Sequence, residues 1–147
     1  YFGDTHVHTG LSADAGGGGT RLLPRDAYRL ARGEQIMSNT GQAVKLSRPL
    51  DFYMITDHSD AMGAITDIIG GAPNILADPQ GAEYHKAFNA GGEEALRAAQ
   101  RLIAEFAQGK VSPALNYQPG NPSYRSTWET IVAAAEQMKP KVLVVVS

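Results

Sequence analysis

The sequence contains no cysteine, which excludes disulfide bonds and thiolate metal ligands. Any metal bound by this chain would therefore have to be held by imidazole nitrogen and carboxylate oxygen. The chain also has little excess charge, because 13 basic and 15 acidic side chains give a formal charge of −2. This near balance does not favour a nucleic-acid partner, which would require a basic patch. No apolar run reaches the roughly 18 residues of a membrane span.

The composition is that of one ordinary domain, since the chain has 147 residues and 43% of them are hydrophobic. It begins at Tyr1 instead of Met, so we expect a mature or trimmed chain. A removed signal peptide would leave no trace, and the compartment, cytoplasmic or periplasmic, stays open. The ending "KVLVVVS" is typical of a buried strand, so we expect more protein to follow Ser147 in the native gene. The oligomeric state also stays open.

Local patterns predict an α/β fold. Strands are predicted in "YFGDTHVHT", "LDFYMITDH" and "KVLVVV". Helices are predicted in "LPRDAYRLARGE", "GGEEALRAAQRLIAEFAQGK" and "TWETIVAAAEQMK". Pro24 suits the first position of the first helix, and Ser126 with Glu129 predicts a capping box for the third. The order of these elements along the chain is typical of a largely parallel sheet.

Three segments carry weaker patterns. The run of four glycines at 16–19 predicts a mobile loop, because glycine disfavours both helix and strand. The segment "SNTGQAVKLSRP" looks irregular, and so does an insertion at about 59–92, with a helical piece near 83–88. Phe106 and Trp128 are expected in the core.

The opening segment holds the first candidate site. Asp4, His6 and His8 occupy alternate positions of a predicted strand, so their side chains should project to one side. Two imidazoles on one strand face can hold a single ion, and Asp14, beyond the strand end, could reach a neighbouring ion. Alternatively, this pattern is the solvated face of an edge strand.

A second group of polar residues follows the apolar run "LDFYMIT". Asp57 and His58 lie at the carboxyl end of a strand that should be buried, which is where parallel α/β proteins place their sites. The alternative is a turn capped by Asp57. Two His/Asp groups at strand ends in one small domain favour a functional site over two unrelated structural features.

Other candidates are weaker. Lys45 and Arg48 could contact a phosphate group of a substrate, although ordinary surface charge would look the same. His85 has no neighbouring residue of metal-ligand type and is expected at the surface or in packing. The glycine run lacks the Gly-Lys-Ser/Thr ending of a phosphate-binding loop.

Two motifs carry a resemblance to known families. "DTHVHTGLSAD" together with "TDH" resembles the polymerase-and-histidinol-phosphatase (PHP) superfamily of metal-dependent phosphoesterases. More closely, "YFGDTHVHTGLSADA", "DAYRLARGE", "GQAVKLSRPLDF" and "TDHSDAMG" resemble the bacterial DUF3604 family, which is related to that superfamily. The resemblance implies that residues 1–147 are the N-terminal part of a PHP-like distorted (β/α) barrel, as a fragment of a longer chain.

The resemblance also implies a set of site residues. The expected metal ligands and catalytic residues are His6, His8, Asp14 and His58. Asp4 and Asp57 would orient these ligands without touching the metal. The complete domain would hold two or three divalent ions, and Zn, Mn and Fe all suit these ligand types. The family's further ligands, a glutamate at a strand end and later His and Asp residues, would lie beyond this chain.

The expected function is that of a metal-dependent hydrolase, acting as a phosphoesterase on a small phosphorylated molecule. A water bridging the ions would supply hydroxide at neutral pH. Two alternatives remain. The chain could be a metal-binding or structural fragment without turnover, because its ligand set is incomplete, or the metal centre could cleave an amide or lactone bond.

Overall fold

A computed structural model describes residues 1–138 of the chain. The predicted strand "KVLVVV" lies in the remaining segment, outside the described residues. The strands are β1 (Gly3–Val7), β2 (Ile36–Met37), β3 (Ala43–Val44) and β4 (Phe52–Ile55). The helices are α1 (Ala13–Gly17), α2 (Pro24–Ala31), α3 (Ala64–Gly70), α4 (Pro73–Leu76), α5 (Pro79–Ala90), α6 (Gly92–Ala107) and α7 (Pro122–Met138).

The two predicted strands pair in parallel. Gly3 of β1 lies opposite Phe52 of β4, and Val7 lies opposite Ile55. The carboxyl ends of both strands therefore meet at one edge, and this pair confirms the parallel arrangement. β2 and β3 form a separate antiparallel pair, in which β2 directly precedes the segment 38–49 that was predicted to be irregular and β3 lies inside it. That prediction is wrong for Ala43 and Val44, because a strand of two residues is too short to show an alternating pattern in the sequence.

The fold is mixed α/β, as predicted, but residues 1–138 contain only these two two-stranded sheets. The expected barrel does not appear among them. No helix within the same range has the length and apolar content needed to cross a bilayer.

The prediction of a mobile loop at the glycine run 16–19 is wrong for its first two residues. Gly16 and Gly17 are buried in α1 and do not belong to a mobile loop. A Cβ atom at Gly16 would lie 2.6 Å from the carbonyl oxygen of Gly10, and one at Gly17 would lie 3.1 Å from the Cβ of Ala99. Close packing against α6 and the preceding loop thus outweighs the low helix propensity of glycine.

Most of the segment at 59–92 is helical, so the prediction of irregular structure there is wrong. Pro73 and Pro79 begin α4 and α5, and the Asp78 side chain caps α5 by accepting a hydrogen bond from the Gly81 amide. The many prolines and glycines of this segment lie at helix ends. A composition rich in these residues is also typical of loops, which is why irregular structure was predicted. The predicted helical piece near 83–88 is confirmed as part of α5.

The main hydrophobic core lies between α3, α5 and α6. It is formed by the buried residues Ala64, Ile65, Ile68, Ile75, Tyr84, Phe88, Ala95, Ala98, Ala99, Leu102, Leu115 and Tyr117. The helical period of the sequence predicts an apolar stripe on α6, formed by Ala95, Leu96, Ala99, Leu102, Ile103 and Phe106. This prediction is partly confirmed, because Ala95, Ala99 and Leu102 are buried while Leu96 and Ile103 are 52% and 50% exposed.

The last helix begins five residues earlier than predicted, at Pro122 instead of Thr127. Its first residue is Pro122, and the side-chain oxygen of Asn121 accepts a hydrogen bond from the Ser123 amide at 2.8 Å. The predicted capping box at Ser126 is therefore wrong, since Ser126 lies inside the helix. Trp128 is 42% exposed, so its assignment to the core is also wrong, and Phe106 is partly buried.

Candidate metal centre

The His and Asp residues of the two motifs converge at the carboxyl ends of β1 and β4. His8 directly follows β1, and His58 comes three residues after the last residue of β4. Asp14 lies in the first turn of α1, which the chain enters after a short loop. The parallel pairing of the strands is what brings together residues that are far apart in sequence.

His8, Asp14 and His58 each offer one ligand atom, and these atoms lie within 4.8 Å of one another. Nδ1 of His8 is 2.7 Å from Oδ2 of Asp14, and Nε2 of His58 is 3.5 Å from the same oxygen. Two ligands of a tetrahedral ion at about 2.1 Å each would be about 3.4 Å apart, so the second distance suits a shared ion. We call these three residues the His/Asp cluster.

The two ring nitrogens of His8 offer different positions to an ion. With Nδ1 donating its proton to Asp14, Nε2 carries the free lone pair. Nε2 is buried and has no hydrogen-bond partner among the described residues. A buried polar atom normally has a partner, and a neutral imidazole held by a carboxylate on its other nitrogen is a common metal ligand. An ion on Nε2 would lie on the far side of the ring from Oδ2 of Asp14, whereas an ion shared by His8, Asp14 and His58 would bind Nδ1 in place of its proton.

His6 lies beside the cluster without joining it. Its ring stacks on that of His8, with the ring centroids 4.8 Å apart, as expected for two residues on one side of a strand. His6 is exposed, and it is not among the three residues whose ligand atoms converge. Its role as a metal ligand stays a prediction.

Three hydrogen bonds tie the loop after β1 to the loop after β4. Asp57 is 1% exposed and accepts bonds from the Thr9 amide at 2.5 Å and from the Thr9 hydroxyl at 2.7 Å. In the other direction, the amide of His58 donates to the hydroxyl of Ser12, which is fully buried, at 3.0 Å. Asp57 thus fixes the loop that carries His8, and Ser12 fixes the backbone of His58.

The two carboxyl groups of this region are shifted in opposite directions. Burial raises the pKa of Asp57 above its usual range, although the hydrogen bonds from Thr9 partly offset this shift. Burial would also raise the pKa of Asp14, but hydrogen bonds from Ser12, the Ala15 amide and His8 outweigh it and hold the pKa below its usual range. Asp14 is therefore kept in the anionic form that a metal ligand requires.

The remaining predicted residues lie elsewhere. The carboxylate of Asp4 accepts a hydrogen bond from the His6 amide at 2.9 Å, and Lys45 is exposed just after β3. Arg48 forms an ion pair with Asp51 at 2.7 Å and lies over the ring of Phe2.

Phe2 and Asp51 precede β1 and β4, so this ion pair is at the opposite end of the strands from the cluster. The structure does not bring Arg48 to the site.

Three structural contributions were not predicted. Thr9 and Ser12 orient the cluster, but buried hydroxyls look like any other Thr or Ser in a sequence. His85 is not one of these three: it was expected at the surface or in packing, and its Nδ1 lies 2.7 Å from the carbonyl oxygen of Ile68. The third contribution is a pocket of about 300 Å³ whose lining includes Asp14 and His58.

These features define a small α/β protein with a His/Asp cluster at the carboxyl ends of two parallel strands. The sequence profile of DUF3604, described as a protein of unknown function, matches residues 1–143. The chain therefore belongs to the DUF3604 family, which confirms the resemblance to it. No curated protein and no solved structure matches the chain.

Proposed function

We propose that this protein is a metal-dependent hydrolase that cleaves phosphate esters. The observation that carries the proposal is the convergence of His8, Asp14 and His58, whose ligand atoms lie within 4.8 Å of one another. A neutral imidazole, an anionic carboxylate and a partly exposed imidazole form a donor set that suits Zn, Mn or Fe.

Each residue of the site has a separable task. His8 and His58 would offer Nδ1 and Nε2, and Asp14 would offer Oδ2, the oxygen atom to which Nδ1 of His8 is hydrogen-bonded. The partly exposed His58 leaves this side of the cluster open to substrate. A divalent ion bound there would lower the pKa of a bound water molecule to about 7 and would neutralise charge on the phosphoryl group. His6 is proposed as a further ligand, of the same or of a second ion.

The overall reaction is the addition of water across a phosphorus–oxygen bond. The hydroxide part forms the new bond to phosphorus, and the bond from phosphorus to the alcohol oxygen breaks. The alcohol leaves with the proton. The substrate would be a small phosphorylated molecule, since the described lining of the pocket beside Asp14 and His58 contains neither Lys nor Arg to bind a larger anion.

We further propose that β1 and β4 are the first strands of a PHP-like barrel. In such barrels the site residues lie at the carboxyl ends of parallel strands, which is where the cluster lies here. The ligands beyond this chain would then complete a centre of two or three ions.

The proposal is tested with the full-length protein by measuring metal content and hydrolysis of bis(4-nitrophenyl) phosphate in the presence of Zn²⁺, Mn²⁺ or Fe²⁺. His58→Gln should lose bound metal and lower the turnover rate by about a hundredfold or more, in line with the loss of a group that supports water activation. His85→Gln is the matched control, because it removes a histidine outside the cluster and should change neither value.

Two outcomes would contradict the proposal. Equal metal content in wild type and His58→Gln would place the metal elsewhere. Stoichiometric metal without hydrolysis of the phosphate ester would favour one of the two alternatives. Parallel assays with 4-nitroacetanilide and a simple lactone separate them, since only a metallohydrolase for amide or lactone bonds would cleave either compound.

A further inference from the structure

A pocket with a volume of about 300 Å³ adjoins the His/Asp cluster. Asp14 and His58 contribute to its lining, so the pocket and the cluster form one continuous site. Most of the remaining lining is apolar and comes from α3, α6 and the segment after α6. The principal apolar residues are Ile65, Ile68, Leu102, Ile103, Phe106 and Leu115.

The volume and the charge of the pocket limit what it can hold. A cavity of about 150 Å³ lined by aliphatic and aromatic side chains binds benzene, so twice that volume suits two fused rings or a medium-length alkyl chain. The described lining contains the carboxylates of Asp14 and Asp60 but neither Lys nor Arg. An anionic group inside the pocket would be repelled, whereas an uncharged apolar group would be desolvated favourably.

We propose that this pocket binds the apolar, uncharged alcohol group of an ester whose phosphoryl group lies at His8, Asp14 and His58. The natural substrates would then be monoesters or diesters of aromatic or aliphatic alcohols, as opposed to sugar phosphates or nucleotides. The nature of the ester rests on the proposed hydrolase function. Binding of the apolar group does not rest on that function, because it depends only on the pocket.

The binding test uses 1-naphthol, an uncharged two-ring alcohol, and measures its intrinsic fluorescence with the full-length protein, with and without Zn²⁺. Ile103→Glu places a carboxylate in the apolar lining and should weaken binding at least about tenfold, because a charged group resists desolvation. Leu96→Glu is the matched control. Leu96 lies on the same helix and is as exposed as Ile103, at 52% against 50%, but outside the pocket.

Wild type and Leu96→Glu should bind 1-naphthol with the same affinity. The proposal is overturned if wild type does not bind the probe, or if the two glutamate variants bind it equally. Circular dichroism spectra of both variants show whether they are folded. If Ile103→Glu is unfolded, Ile103→Trp, which fills the pocket with an apolar group, replaces it, with the same expected loss of binding.

A kinetic test separates this inference from the proposed function. The ratio of kcat/KM for 1-naphthyl phosphate to that for methyl phosphate is compared between variants, which cancels the different reactivities of the two esters. Ile103→Glu should lower the ratio about tenfold through lost burial of the ring system. An unchanged ratio overturns the pocket inference while leaving the hydrolase proposal intact. Naphthol binding without any hydrolysis supports the pocket and contradicts the hydrolase.

Discussion

The carboxylate of Asp57 shows how single residues hold this site together. It is 1% exposed, and such a group is costly to bury unless hydrogen bonds replace the lost water. Thr9 supplies two of these bonds, one from its amide and one from its hydroxyl. Because Thr9 directly follows His8, this pair also determines where the His8 ring lies.

Thr9→Val should therefore destabilise the protein by about 1–3 kcal/mol, since valine keeps the shape of threonine but leaves Oδ2 of Asp57 without a donor. The free energy of unfolding is measured by urea denaturation. Thr9→Ser, which keeps the hydroxyl, should lower the free energy of unfolding by clearly less. Thr66→Val on the exposed face of α3 is the control and should be nearly neutral; an equal loss in both valine variants would contradict the argument.

Tyr84 provides a pH-dependent contribution. Burial, together with a hydrogen bond from its hydroxyl to Glu105, raises its pKa to about 12, whereas an unfolded tyrosine titrates near 10. The folded state thus favours the protonated hydroxyl. The resulting contribution to stability is complete below about pH 10 and is lost as the pH rises toward about 12.

Urea denaturation of wild type and Tyr84→Phe at about pH 9 and about pH 11 checks this, because phenylalanine cannot titrate. The stability of wild type relative to Tyr84→Phe should fall between the two pH values. A difference that is independent of pH would show that the hydroxyl titrates alike in the folded and unfolded chains.

For single residues, the sequence predicts which charged and imidazole groups could bind a metal, but it does not predict the hydroxyl groups that position them. His8, Asp14 and His58 belong to residue types that bind metals, and they follow recognisable strand patterns. Thr9 and Ser12 do not stand out, because a hydroxyl acquires its role only when folding buries it next to a polar group.

Among the elements, α1 is the one on which the site depends most. It carries Asp14, and it contains Gly16 and Gly17 in close contact with other parts of the chain. The position of Asp14 relative to His8 therefore depends on two residues that have no side chains. Glycine here allows an approach that a methyl group would prevent.

Gly16→Ala should destabilise the protein by about 1–3 kcal/mol and weaken metal binding, since its Cβ would collide with the carbonyl oxygen of Gly10 and displace the helix. Unfolding in urea and titration with Zn²⁺ measure the two effects. Gly70→Ala is the control. It lies in α3, a Cβ there would have no neighbour within 4 Å, and the substitution should be neutral or stabilising by up to about 1 kcal/mol. Equal metal affinity in both variants would contradict the prediction.

Some helices of the structure are predictable from local sequence and others are not. Pro24 marks the start of α2 correctly, since the fixed φ of proline is a local property. Gly16 and Gly17 were misread, because their helical state depends on packing against α6. The segment at 59–92 was misread for a related reason, as its prolines and glycines bound helices.

At the scale of the whole molecule, the His/Asp cluster brings together residues that are far apart in the sequence. An ion held by His8, Asp14 and His58 would bind the folded chain and not the unfolded one. Such an ion should stabilise the fold by about 2.7 kcal/mol when its concentration is a hundred times the Kd.

Thermal unfolding with increasing Zn²⁺ or Mn²⁺ measures this stabilisation, and EDTA should reverse it. The midpoint should rise for wild type and for His85→Gln but stay constant for His58→Gln. A rise of equal size in His58→Gln would mean that the ion binds elsewhere or stabilises the fold nonspecifically.

The parallel pairing of β1 and β4 is the part of the global fold that the sequence predicts, because both strands have clear patterns. The antiparallel pair β2–β3 was not predicted, since two residue pairs give no periodicity. The pocket was not predicted, because its place depends on how α3 and α6 are arranged beside the cluster. The apolar stripe of α6 predicts only that this side of the helix packs against other residues.

The bonds between Thr9 and Asp57 span 48 residues, and that between His58 and Ser12 spans 46. Closing loops of this length costs chain entropy before any contact compensates for it. The pairs α3–α5 and α5–α6 are closer in sequence and need no such closure. A partly folded chain with these helices formed would have no functional centre until β1 and β4 join, so acquisition of metal affinity during refolding reports the docking of the two strands.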